Sequence, residues 1–336
     1  MSQQVFPQLG GNNTYEFLNL PSSARVSALG GNLISAKDND LNVALSNPSL
    51  LSDSMNGNVA LSFVNYFADI KYGNFAVAKH FKHGGNFCAG ITYLNYGKLT
   101  RSDEAGTVSG TFTASETCLN LAYAHPILDS NLTLGINMKT VNSKLDIYNS
   151  LGTALDFGVT YVIPKKNITV AAVVKNVGLV WKTYVDGHKE NLPFEVQLGA
   201  SYKPRKLPVR VSLAYENLEQ WDLVYHNPTD KVQTDPVTGE VVEPNKYKEF
   251  GDKLMRHIVV GTEFIITKNL FLRVGYNYQR KVELTNPAKD EFSGCSFGFG
   301  FRVYKFHFSY GRAVYNLAGP TNTFSMSFNV NSFYKK

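Results

Sequence analysis

The sequence predicts an all-β protein, a 14-stranded antiparallel transmembrane β-barrel with an N-terminal plug, and three observations lead to this prediction. Apolar and polar residues alternate with period two along most of the 336-residue chain, which is typical of strands with two unlike faces. The alternating segments run about 11 to 15 residues, whereas strands of soluble proteins usually have 5 to 6. Short and long connections alternate, as they do between the two rims of outer-membrane barrels.

The chain divides into an N-terminal plug over residues 1–57 and a barrel over residues 58–336. The first part is rich in Asn, Ser, Gly and Leu and has no sustained alternation. Within it, "KDNDLNVALSNPSLL" predicts one short helix with Asp38 or Asp40 as its N-cap. This helix should end before Pro48, which disfavours helical geometry in the preceding residue.

The barrel region contains fourteen candidate strands and almost no helical periodicity. They are residues 58–68, 70–81, 86–98, 112–125, 131–145, 149–163, 167–181, 193–203, 207–219, 253–266, 269–282, 292–303, 306–315 and 321–334. Connections after even-numbered strands are short, such as "PKKN" and "YK", whereas one of about 33 residues spans 220–252. An even number of strands closes without free edges, and both chain ends then lie on the short-turn, periplasmic side.

The stretch "CSFGFGFRVYKFHFSYGR" shows why lipid is preferred to a protein core. A two-residue turn at Tyr304-Lys305 pairs Val303 with Phe306 and Phe301 with Phe308, so that the aromatic rings share one face. The opposite face consists mainly of Gly and Ser with few charges, unlike the exterior of a soluble sheet. We therefore expect the rings to face lipid, although a soluble lipid-binding β protein stays a weaker alternative.

The lumen of a 14-stranded barrel is too wide for its own side chains to fill. The N-terminal segment is the available plug, and the small residues Gly298, Gly300 and Gly311 would leave room for it against the wall. Nine charged residues are predicted to point inward. They are Lys139, Asp156, Lys175, Glu195, Arg210, Glu216, Glu263, Arg273 and Arg302. We expect salt bridges that brace the wall, and a substrate path is the alternative.

Composition excludes several classes of function. The net charge of +6 comes from dispersed basic residues without a basic helix or stripe, so nucleic-acid binding is not favoured. Three cysteines and seven scattered histidines lack metal-ligand spacing, and no nucleophile elbow is present. We expect no enzymatic activity, no cofactor and no metal. The start "MSQQVFPQLGG" has no basic or apolar signal region, so the chain is either cytosolic or a mature chain with an added Met, and the strand pattern favours the mature outer-membrane chain.

Aromatic residues around the long connections are the candidate partner-binding site. An aromatic girdle at the membrane interface is the alternative, and it is preferred for Trp181. The loop over 220–252 is acidic and exceeds the usual length of loops, which favours a docking role, with "DPVTGE" as a small hairpin at its tip. The candidates are Trp181, Tyr184, Trp221, Tyr225, Tyr247 and Phe250.

Several motifs carry a resemblance to known barrels. The segments "NNTYEFLNLPSSARVSALGGN", "DNDLNVALSNPSLL", "YVDGHKENLPFEVQLG" and "EQWDLVYHNP" resemble the PorQ-like barrels of the type IX secretion system, within the FadL-like and PorV-related superfamily. The resemblance implies a non-enzymatic role in the attachment complex with a PorZ-like surface protein, the PorU sortase and PorV, which joins cargo to anionic lipopolysaccharide. FadL-like transport of hydrophobic small molecules is the alternative, but the small, polar inner faces oppose an apolar pocket.

Overall fold

The fold is a closed antiparallel barrel of fourteen strands. A computed structural model describes residues 13–66, 69–103, 105–127, 131–185, 187, 190–224, 246–284, 292–316 and 319–334. Each strand pairs with its neighbours in the chain, and the first pairs with the last in register from Asn58 opposite Asn329 to Asn65 opposite Asn322. The prediction of an all-β, 14-stranded antiparallel barrel is therefore confirmed. Among the described residues, no helix is both long and apolar enough to cross a membrane.

The strands account for most of the described chain. They are β1 Asn58–Asn65, β2 Lys71–Phe81, β3 Gly85–Ser102, β4 Val108–Ile127, β5 Leu132–Leu145, β6 Tyr148–Ile163, β7 Ile168–Lys182, β8 Glu195–Tyr202, β9 Val209–Tyr215, β10 Ile258–Ile265, β11 Leu270–Asn277, β12 Cys295–Val303, β13 Phe306–Asn316 and β14 Gly319–Asn329. The helices are α1 Ala24–Ala28, α2 Leu41–Ala44, α3 Lys246–Arg256, α4 Tyr278–Glu283 and α5 Asn331–Tyr334.

The β12–β13 hairpin has the predicted register. Val303 lies opposite Phe306 and Phe301 opposite Phe308, across a turn in which Tyr304 adopts a positive φ of 56°. Phe297 and Phe301, on the outward face, are exposed, whereas the glycines and serines between the rings point into the barrel. Exposed apolar side chains recur in this way on the outward face of thirteen of the fourteen strands, and the outward rings of β13, such as Phe308, are partly exposed, which is the surface that lipid requires.

Three predicted strands extend into segments that are helical in the structure. Residues 253–257 lie in or directly after α3, residues 278–282 belong to α4, and residues 331–334 form α5. At α4 the reason is local, because the Asn277 side chain accepts a hydrogen bond from the backbone N–H of Arg280 and caps a helix. These strand predictions were too long because apolar and polar residues continue to alternate past the point where hydrogen-bonded pairing with the neighbouring strands ends.

Residues 13–57, here called the luminal segment, lie against the inward face of the barrel. The backbone N–H of Ala24 donates to Ser325 Oγ on β14 at 2.8 Å, and that of Gly30 donates to Ser296 Oγ on β12 at 2.9 Å. On the opposite wall, Asn47 Nδ2 donates to the Thr160 hydroxyl on β6 at 3.2 Å. Contacts to strands on both sides show that this segment occupies the lumen.

The luminal segment is built from short capped turns. Ser23 caps α1, and Asp40 caps α2 by accepting a hydrogen bond from the backbone N–H of Asn42, as predicted. The helix ends at Ala44, before Pro48, which begins a single 3₁₀ turn capped by the Asn47 side chain. These caps satisfy backbone donors at the N-termini of the turns that the helices themselves leave unpaired.

Candidate functional site

Two wall glycines let the backbone of the luminal segment approach the strands closely. A Cβ at Gly298 would lie 2.7 Å from the Cβ of Ala28, and one at Gly311 would lie 2.3 Å from the carbonyl oxygen of Ala24. Both distances are too short for non-bonded atoms, so only glycine fits at these positions without displacing the segment. The predicted role of these two residues is confirmed.

The third predicted glycine, Gly300, has a different neighbour. A Cβ there would meet the Arg273 guanidinium at 2.9 Å, so Gly300 makes room for a wall side chain and that prediction was wrong. Instead, Gly275 on β11 makes the close approach, because a Cβ on it would lie 2.1 Å from the backbone nitrogen of Gly30. The lumen is thus closely packed along β11, β12 and β13.

A buried charge cluster ties the luminal segment to the wall. It consists of Arg25, Asp38 and Asp40 from the segment and Arg210, Glu263 and Arg273 from the strands. Glu263 is its centre, since its carboxylate accepts from Arg25 Nη2 at 2.9 Å, Arg210 Nη1 at 3.1 Å and Arg273 Nε at 2.9 Å. Three guanidiniums face three carboxylates, so the cluster is neutral although it is buried.

The pairing of the cluster determines its ionisation. Burial alone would raise the pKa of the Asp38 carboxyl, but the guanidiniums of Arg25 and Arg210 hold that pKa well below its usual range. Burial likewise opposes the charge on Arg25, yet Asp38, Glu263 and Asp40 keep its pKa well above the ordinary value. Both groups of the luminal segment are therefore charged at any physiological pH.

Most of the other predicted inward charges are also paired. Lys139 Nζ lies 2.8 Å from a carboxylate oxygen of Asp156, and Lys175 Nζ lies 3.9 Å from Glu195. Arg302 pairs with His307 on the inward face of the β12–β13 hairpin, as predicted, but it is exposed at the short-turn end and forms no ion pair with the described residues. The two lysines therefore form ion pairs between neighbouring strands of the wall.

A polar cavity of about 170 Å³ remains between the luminal segment and the wall near the long-loop rim. Glu216 lies there, accepting a hydrogen bond from Asn32 Nδ2 at 2.7 Å, with Arg280 also in the lining. Burial and the neighbouring Glu195 carboxylate raise the pKa of Glu216 to about 7. Within the described ranges, no group of three or more His, Cys, Asp or Glu residues could hold a metal ion.

Aromatic side chains gather on the long-loop rim beside this cavity. The Trp221 ring lies 5.4 Å from that of Phe250 and 5.6 Å from that of His257, measured between centroids. His257 is buried and stacks on Tyr215 at 4.8 Å, with its Nδ1 2.8 Å from the Glu216 carbonyl oxygen. Trp221 and Phe250 thus stand on a fixed base while remaining 45% and 58% exposed.

Helix α3, which carries Phe250, is held to the barrel by polar contacts. Lys253 Nζ lies 2.8 Å from a carboxylate oxygen of Asp222, in the chain that follows β9. Asp252 accepts from Arg256 Nε at 2.8 Å and from the Tyr278 hydroxyl, on α4, at 2.7 Å. The helix is therefore fixed on two sides, and its apolar side chains are presented outward from a braced support.

The predicted aromatic residues separate into different environments. Trp181 on β7 is 66% exposed on the outward face and donates its indole N–H to Thr153 Oγ1 at 2.8 Å. Tyr184 is half-buried and hydrogen-bonds through its hydroxyl to Ser143, on the inward face of β5. Tyr247, three residues before Phe250 on α3, is 91% exposed. Tyr225 and the predicted "DPVTGE" hairpin lie outside the described residues.

We define the rim cluster as Trp221, Tyr247, Phe250 and His257, because the structure brings these together on one side of the mouth. Sequence reasoning missed His257, which was read only as one of seven scattered histidines. It also missed Arg25, which carries three of the ion pairs of the charge cluster. Its neighbours in the chain are apolar or small, so only the fold reveals its partners.

Comparison with known proteins supports the fold. No protein-family profile and no curated protein matches the chain. The toluene transporter TbuX of Ralstonia pickettii superimposes with a TM-score of 0.53 at 14% identity, covering 93% of this chain and 99% of that one. A deltaS2 mutant of the monoaromatic hydrocarbon channel TodX superimposes with a TM-score of 0.52 at 15% identity, and the match covers 93% of this chain and 99% of that one. A FadL homologue of Pseudomonas aeruginosa superimposes with a TM-score of 0.48 at 11% identity, and the match covers 92% of this chain and 98% of that one.

The fold and the apolar outward band define an outer-membrane β-barrel, and they point to the bacterial outer membrane. Within that class, the fold is the one shared by TbuX and TodX, because the superimposed barrels match over nearly their whole length. At identities of 14% and 15%, the likeness concerns the fold alone.

Proposed function

We propose that this protein is a non-enzymatic surface anchor, a barrel closed by its luminal segment that docks a partner protein on its long-loop rim. The observation that carries the proposal is the rim cluster, in which Trp221 and Phe250 are exposed side by side on a braced support. Large aromatic side chains that are fixed before binding lose little entropy, which makes Trp and Tyr frequent hot spots of interfaces.

The resemblance to PorQ-like barrels supplies the proposed partner. On this proposal, the protein is an outer-membrane component of the type IX secretion attachment complex. The barrel holds a PorZ-like protein near the PorU sortase, PorV and lipopolysaccharide. A docking barrel needs no open path through its lumen, and the ion pairs and close glycine contacts of the luminal segment support such a closed state.

Capture of partners from intact cells tests the proposal. The double variant Trp221→Ala/Phe250→Ala should weaken binding of the partner to the affinity-tagged barrel by about a thousandfold, since two hot-spot truncations of about 2 kcal/mol each total about 4 kcal/mol. Trp181→Ala is the matched control, because it removes an exposed ring from the outward face of β7. Equal recovery by the double variant and the control would refute docking at the rim cluster.

Uptake of hydrophobic small molecules is the second candidate, and it is favoured by the likeness to the two superimposed barrels, a toluene transporter and a monoaromatic hydrocarbon channel. The polar lining of the 170 Å³ cavity opposes it, since a pocket for apolar ligands needs an apolar wall. Native mass spectrometry of the purified barrel distinguishes the two functions. A bound apolar ligand, together with faster toluene entry into cells that express the barrel, would favour uptake over anchoring.

A further inference from the structure

The periplasmic turns of the barrel carry an excess of positive charge. The turns after β6 and β8 have the sequences "PKKN" and "KPRKLP" and contain no acidic residue. They are adjacent, because β7 pairs with β8 from Ile168 opposite Tyr202, and the Arg205 guanidinium donates to the carbonyl oxygen of Lys165 at 3.0 Å. The two turns therefore form one structural unit at the periplasmic end of the wall.

An open cleft of about 580 Å³ lies on the lipid side of these turns. Its lining combines basic and apolar side chains, and we call it the basic cleft. It is defined by Lys165, Lys166, Arg205, Lys206, Tyr202 and Leu207. Tyr202 belongs to the outward face of β8 and Leu207 is 60% exposed, so the apolar part of the cleft continues the lipid-facing band.

The charges of the basic cleft differ from those of the lumen. In the lumen, Lys139 and Arg273 each contact a carboxylate at 2.8–2.9 Å. By contrast, none of Lys165, Lys166 and Lys206 forms an ion pair with any residue that the structure describes, and all three are exposed. Four cationic side chains therefore lie together beside an apolar surface, at the edge of the membrane. Anions from outside the chain would balance their charge.

We propose that the basic cleft binds the phosphate headgroup of an anionic phospholipid from the periplasmic leaflet, with the acyl chains lying along β7 and β8. Lysine and arginine bind phosphate through charge-assisted hydrogen bonds, and Arg205 retains donors that its bond to Lys165 does not use. Tyr202 and Ile168 supply the apolar surface below the headgroup. Such a site would hold the barrel at a fixed depth, independently of what its outer rim docks.

Two matched triple variants of the full-length barrel test the proposal. Lys165→Gln/Lys166→Gln/Lys206→Gln removes three charges from the basic cleft. The control Lys82→Gln/Lys268→Gln/Lys305→Gln removes three charges from three other short turns, which follow β2, β10 and β12. Each protein is exchanged from detergent into mixed micelles containing phosphatidylglycerol or phosphatidylcholine, and the retained lipid is counted by native mass spectrometry. Heat-modifiable migration in gels verifies that each variant is folded.

The wild type and the control should retain phosphatidylglycerol in preference to phosphatidylcholine. The cleft variant should bind phosphatidylglycerol about a hundredfold more weakly, since each basic residue near a membrane surface contributes about fivefold. Equal weakening in both variants would mean diffuse attraction and would overturn the site. Retention of phosphatidylcholine as strong as that of phosphatidylglycerol would also overturn it, as would displacement of the lipid by an equimolar amount of inorganic phosphate, which would make the cleft a site for free phosphate.

Discussion

The substitution Glu263→Gln tests whether the charge cluster holds the luminal segment in the barrel. The carboxylate is 3% exposed and accepts from three guanidiniums at 2.9–3.1 Å. Its replacement by an amide of the same shape leaves three buried guanidiniums facing two carboxylates. Removing one partner from a buried ion pair costs about 3–5 kcal/mol, because the remaining charge is left uncompensated.

Unfolding by guanidinium chloride, with the barrel in phospholipid vesicles, measures this loss of stability. The two tryptophans, Trp181 and Trp221, report unfolding by their fluorescence, and the free energy of unfolding follows from linear extrapolation. We expect Glu263→Gln to lower this free energy by about 3–5 kcal/mol.

A second substitution isolates the charge from other effects. Arg273→Met in the Glu263→Gln background restores neutrality, because it removes one of the three guanidiniums while keeping a long apolar stem. The double variant should therefore recover part of the lost stability, and the two effects should not add. A loss below about 1 kcal/mol for Glu263→Gln, the value of an exposed pair, would refute the reasoning, as would strictly additive effects.

Three further predictions concern the luminal segment and its surroundings. Gly275→Ala should cost about 1–3 kcal/mol in the same titration, because its Cβ would lie 2.1 Å from the Gly30 nitrogen, whereas Gly251→Ala, with open space around it, should be neutral or stabilising. Deletion of residues 1–50 should raise single-channel conductance in planar bilayers, and unchanged conductance would contradict a closed lumen that depends on this segment. The folded state retains a proton on Glu216 between its ordinary pKa of 4.5 and about 7, so the free energy of unfolding should fall as pH rises through this range. Glu216→Gln should flatten that slope, and an unchanged slope would exclude Glu216 as its source.

The barrel could be predicted from the sequence because strand alternation is local. Period two assigns Phe301 and Phe308 to one face without any knowledge of the rest of the fold, and a two-residue turn at Tyr304-Lys305 then fixes the register. Helix α3 has one local signal in the sequence, because Glu249 and Lys253 have the i,i+4 spacing of the ion pair that they form. The alternation of the residues from 253 onward nevertheless predicted a strand there.

The charge cluster could not be predicted in this way. Arg25 and Glu263 are separated by 238 positions, and they meet only because the luminal segment follows one path through the barrel. Gly300 illustrates the same limit, because the sequence shows that it points inward but not whether a wall side chain or the luminal segment lies opposite. The rim cluster required the fold too, since His257 contributes through stacking on Tyr215 and Trp221.

The most direct test of the proposed anchoring function is photo-crosslinking in intact cells with a photoreactive amino acid at position 250. Position 334 is the control, because Tyr334 is 81% exposed but lies on the short-turn side of the barrel. We expect position 250 to yield one dominant crosslinked surface protein, identified by mass spectrometry as PorZ-like, and position 334 to yield none of it. Crosslinks at position 250 only to lipopolysaccharide, or the same products from both positions, would contradict a docking surface at the rim cluster.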